Sequence, residues 1–71
     1  MPTDPRDKWT TFTFAQANPE GSGQGNVPAL LRRVADSIEE LGDVQVLDIT
    51  YEVEMTAEGR WPSLSVYYVR E

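Results

Sequence analysis

From Val27 onward, apolar residues fall at Val27, Leu30, Leu31, Val34, Ile38 and Leu41. Spacings of three and four put this set on one stripe of a helix, and no strand could gather it on one face. Asn26 stands at the N-cap position, Pro28 sits in the first turn where a missing N–H costs little, and Gly42 follows as the stop. A helix is therefore predicted from Val27 to the glycine.

The period then changes from 3.6 to 2. Over Val44–Met55, Leu47, Ile49, Tyr51, Val53 and Met55 alternate with Asp48, Thr50, Glu52 and Glu54. This is the pattern of a half-buried strand with a wet outer face. Thr56-Ala57-Glu58-Gly59 reads as a hairpin turn, and Arg60–Arg70 returns as a second strand. Pairing Met55 with Arg60 sets Tyr51 opposite Leu64, Ile49 opposite Val66 and Leu47 opposite Tyr68, so both apolar sets share a face. Ahead of the helix, Trp9–Ala15 is rich in β-branched and aromatic residues, with Thr10, Phe12 and Phe14 on one face and Trp9, Thr11 and Thr13 on the other.

These elements give an α+β fold of β-α-β-β order, one helix packed on one face of a three-stranded antiparallel sheet. Ser65-Val66-Tyr67-Tyr68-Val69 is apolar on both sides and suits the middle, whereas the charged alternation of Val44–Met55 suits an edge. The expected strand order is 2-3-1; a parallel order 1-2-3 with a right-handed crossover is the alternative. Pro62 is tolerable near a strand start. Residues 1–8 read as a loose N-terminal arm and residues 9–71 as one domain, with a glycine-rich loop at 17–26 that cannot bury apolar surface.

Composition removes most chemistry. The 71 residues contain no cysteine and no histidine, and six basic residues face twelve acidic ones. Disulfides, thiolate metal sites and cysteine nucleophiles are excluded, along with the commonest general base and transition-metal ligand. A net charge of −6 argues against nucleic acid. No apolar run approaches the ~20 residues that span a bilayer, and the start lacks a signal-peptide core, so a cytoplasmic location is expected. Neither a metal, a cofactor nor a nucleophile–base pair can be assembled, which points away from an enzyme.

Three clusters invite chemistry. Gly21-Ser22-Gly23-Gln24-Gly25-Asn26 lies between a strand and a helix N-terminus, with Arg32 and Arg33 one to two turns on, but it matches neither the dinucleotide fingerprint nor a P-loop. It reads as a flexible connector, with an anion site as the sharper alternative. Asp48, Glu52 and Glu54 project from one strand face, where they suit a solvated edge that discourages strand addition. Glu39, Glu40 and Asp43 gather at the helix C-terminus, where the dipole disfavours negative charge.

With no staple or metal, so small a fold gains from covering its second sheet face. That face is expected to carry Trp9, Thr11, Thr13, Trp61, Ser63, Ser65, Tyr67 and Val69, an amphipathic surface of the kind used in interfaces. A non-enzymatic, homo-oligomeric or protein-binding module using these residues is the resulting expectation.

VADSIEELGDVQVLDITYEVE, closing with SVYYVRE, resembles a group of small uncharacterised acidic actinobacterial proteins over roughly residues 26–71. That resemblance implies the helix–hairpin pattern and no particular activity. The β-α-β-β order also resembles dodecins, small acidic flavin-binding proteins that assemble as hollow dodecamers. It implies, as an alternative, an oligomer that stacks a planar ligand such as flavin. Their stacking tryptophan lies within the second strand; here Val44–Met55 has none, and Trp61 opens the third strand instead.

Overall fold

The computed structural model describes residues 10–70. The expected N-terminal arm and Trp9 lie outside the described residues. Four elements follow in order: β1 (Phe12–Ala17), α1 (Val27–Leu41), β2 (Val44–Thr56) and β3 (Gly59–Arg70). They form one antiparallel sheet of order β1-β3-β2, with the helix on one face.

The helix begins and ends as its sequence dictates. The Asn26 side-chain oxygen accepts from the Ala29 N–H at 3.1 Å, and Gly42 adopts a φ of 82° that a side chain would resist. Its acidic C-terminus is relieved from across the fold, because the Arg70 guanidinium donates to the Leu41 carbonyl at 3.0 Å. The positive group that the last helical turn lacks is thus supplied by β3 of the same chain.

β1 starts and ends two residues or more later than its composition indicates. Its ladder runs from Phe12 opposite Tyr68 to Ala17 opposite Ser63, one residue short of the buried Pro62, which has no N–H to offer. Beyond Ala17 the buried Asn18 turns its amide to the loop, donating to the Asn26 carbonyl at 2.7 Å, and the strand cannot continue.

The hairpin register holds from Thr56 opposite Gly59 back to Asp48 opposite Tyr67, with Tyr51 on Leu64 and Ile49 on Val66 as the alternation requires. It then departs from expectation. Val46, not Leu47, stands opposite Tyr68, because a bulge between Val46 and Asp48 leaves Leu47 as the extra residue. The physical reason lies in the sequence: Val44 and Val46 are apolar in one phase of the alternation, and Leu47, Ile49 and Tyr51 in the other. One inserted residue lets Val44 and Val46 share the helix side with Ile49 and Tyr51.

The core is compact and off-centre. Leu30 and Val34 of α1 pack on Leu64, Val66 and Tyr68 of β3, with Phe14, Ile38, Leu41 and Val44 around them. Tyr68 stacks on Phe12 at 5.5 Å between ring centroids and meets Phe14 edge-on at 6.2 Å. The helix therefore rests on β1 and β3 rather than on β2. Geometry makes this unavoidable for a single helix. Fifteen residues make a cylinder about 22 Å long and roughly 10 Å wide. The hairpin strands, of 13 and 12 residues, extend about 40 Å. One helix that also packs on β1 cannot cover both strands of that hairpin.

Candidate association surface

What the helix leaves bare is the helix side of β2. Cross-strand partners share a face, so Val46, Ile49, Tyr51, Val53 and Met55 lie on the same side as Tyr68, Val66, Leu64, Pro62 and Arg60. Their fates differ sharply. Val66 is fully buried, whereas its partner Ile49 is 47% exposed; Tyr51 is 51% exposed and Met55 71%. On the helix, Leu31 also escapes the core expected for it and is 52% exposed. It lies one turn beyond Val27, which lines a small hollow of about 200 Å³ with Tyr51, Arg60 and Pro62. Val27 of α1 and Tyr51 of β2 thus line one hollow, while Val46, Ile49 and Met55 lie open along the strand.

The opposite face, expected from sequence to be the interface, is less open. Trp61, Ser63, Ser65 and Tyr67 are half-buried, Thr11 and Thr13 exposed, and Val69 is 2% exposed. Thr13 stands opposite Tyr67, and Ala15 and Ala17 complete the β1 side of this face opposite Ser65 and Ser63. Trp61 is tied down, its indole N–H donating to the Asn18 carbonyl at 2.8 Å. A shallow depression of about 380 Å³ lies between Thr11, Leu47, Asp48, Thr50 and Tyr67, and the bulge is what brings Leu47 to it.

The glycine-rich loop is a latch rather than a loose connector. Gln24 is buried and reaches across to the hairpin end, donating to Thr56 Oγ1 at 3.0 Å and to the Gly59 and Arg60 carbonyls at 3.3 Å each. Its carbonyl oxygen accepts from the Gly21 N–H at 3.0 Å. Several N–H groups that could have held an anion are spent internally: Gln24 on the Gly21 carbonyl, Asn26 on the Gly23 carbonyl, and Ala29 on the N-cap. Arg33 and Glu20 share the hollow beside the loop, and their charges oppose one another there. Sequence composition signals none of this, because two side-chain amides at the right distance outweigh the flexibility of the glycines between them.

Asp48, Glu52 and Glu54 alternate along the outer face of β2, opposite the uncharged Tyr67, Ser63 and Trp61. Among the described residues, no group of three acidic side chains comes together in a way that could hold a metal ion. No helix among them is long and apolar enough to cross a membrane. Comparison with protein-family models, with curated proteins and with solved structures gives no match.

Proposed function

We propose that this chain is a non-enzymatic association module, in which the apolar helix side of β2 is buried against another polypeptide. One observation carries the reading: Ile49 sits directly opposite the fully buried Val66 and yet is 47% exposed. A contiguous apolar row is costly to leave in water, at about 25 cal/mol per Å². Among the described residues no strand pairs with the outer edge of β2, which adds an unpaired row of backbone groups along the same strand.

Met55, 71% exposed on this row, reports its occupancy. In the native cells under dilute peroxide, Met55 of the parent chain is expected to oxidise at least fivefold more slowly than Met55 of an Ile49→Asp variant. Circular dichroism of the purified variant verifies that it is folded. Equal oxidation rates in a folded variant would overturn the reading.

A further inference from the structure

Resting on that reading, we propose that the polypeptide received by β2 is an extended segment of a different protein, one that alternates lysine or arginine with apolar residues and adds to the sheet as a fourth strand. The edge of β2 presents two unlike faces. Val46, Ile49, Tyr51 and Met55 form an exposed apolar row on the helix side. Asp48, Glu52 and Glu54 form an acidic row on the other. A strand laid along this edge points alternate side chains to the two faces, so it must be apolar at every second position and basic at the positions between.

The same rows bar a second copy of β2 from this place. An antiparallel pairing that keeps apolar beside apolar sets carboxylates opposite one another wherever it is centred between Thr50 and Glu54. Centred on Thr50 it opposes Asp48 to Glu52; centred on Tyr51, Asp48 to Glu54. Centred on Glu52 it opposes that residue to itself, and centred on Val53, Glu52 to Glu54. Like charges directly opposite are destabilising in a ladder, and opposite charges stabilise it. The acidic row thus rejects the chain's own edge and selects a basic one. The bulge at Leu47 twists the strand away, which sets the receiving stretch at Asp48–Met55.

The test titrates three nine-residue peptides into the full-length chain and follows backbone amide resonances. The first alternates lysine with valine, the second glutamate with valine, and the third has the lysines and valines grouped in pairs. The first is expected to bind at least tenfold more tightly than either of the others, with slowed amide exchange confined to Asp48–Met55. Glu52→Lys with Glu54→Lys is expected to weaken it at least tenfold. Equal binding of the alternating and paired peptides would reduce the interaction to bulk charge and overturn the proposal. Binding unchanged in the doubly substituted chain would overturn it too, as would a particle of two chains that Ile49→Asp returns to one. Met55 protected in cells together with no peptide binding would leave the association reading standing and remove this partner. Met55 unprotected would remove the association reading itself.

Discussion

Replacing Leu30 with alanine is expected to cost about 3–5 kcal/mol of folding stability, whereas Ile49→Ala costs only about 1 kcal/mol. The two residues are of equal size and both are aliphatic, so the contrast isolates what each side chain touches. Leu30 is fully buried against Leu64, Val66 and Tyr68, and its truncation opens a cavity that the rigid sheet cannot close. Ile49 already has about half its side chain in water, so truncation loses a fraction of the transfer energy and leaves no cavity. A 71-residue domain has a total stability of roughly 4–10 kcal/mol. Leu30→Ala therefore removes a large share of it, and urea unfolding should show a markedly lowered midpoint. Similar losses for the two variants would mean that Ile49 belongs to the core, and the free row on β2 would not exist.

Gln24→Ala is expected to cost about 2–4 kcal/mol, more than any surface change of similar size. The side chain closes the loop against the hairpin through one acceptor and two donors; Gln24 itself is buried and its hydrogen bonds are partly shielded from solvent. Without it the Gly21 N–H and the Arg60 carbonyl lose the Gln24 amide, while the Gly59 carbonyl keeps the Thr56 hydroxyl at 3.0 Å; each partly desolvated group left unpaired carries a penalty. Gln24→Glu separates shape from donation. It keeps the volume but sets a carboxylate against two carbonyl oxygens, so its loss should match or exceed that of alanine. Urea unfolding of both variants measures the effect. A Gln24→Glu chain as stable as the parent would show that the hydrogen bonds to the hairpin contribute nothing.

These two residues also mark where the sequence was legible and where it was not. Leu30 announces itself, because a period of 3.6, an N-cap asparagine and a stop glycine all agree on one helix and one stripe. The strand order was equally legible, since only Arg60–Arg70 is apolar on both sides. The register could be read as far as Ile49 and failed at Leu47, where the alternation changes phase; the two valines before it carried that signal. Gln24 was illegible. A buried amide inside Gly-Ser-Gly-Gln-Gly looks like any polar loop residue until the hairpin end is brought beside it, a contact 32 to 36 residues away in sequence. The exposed row had a similar cause. Periodicity tells which residues of β2 share a face but not how far one helix reaches across it, so the open apolar surface fell on the side that the sequence marked as core. The acidic helix end was illegible for the same reason, because Arg70 reaches Leu41 only once the sheet has formed.

The most direct measurement places the photo-reactive residue p-benzoylphenylalanine at Tyr51, Tyr67 or Glu40 in turn and illuminates the native cells. These positions sample the helix side of β2, the outer sheet face and the exposed surface of α1. If β2 is the association surface, covalent adducts form from Tyr51 and none form from Glu40. Adducts from Tyr67 alone, or from no position, would contradict it.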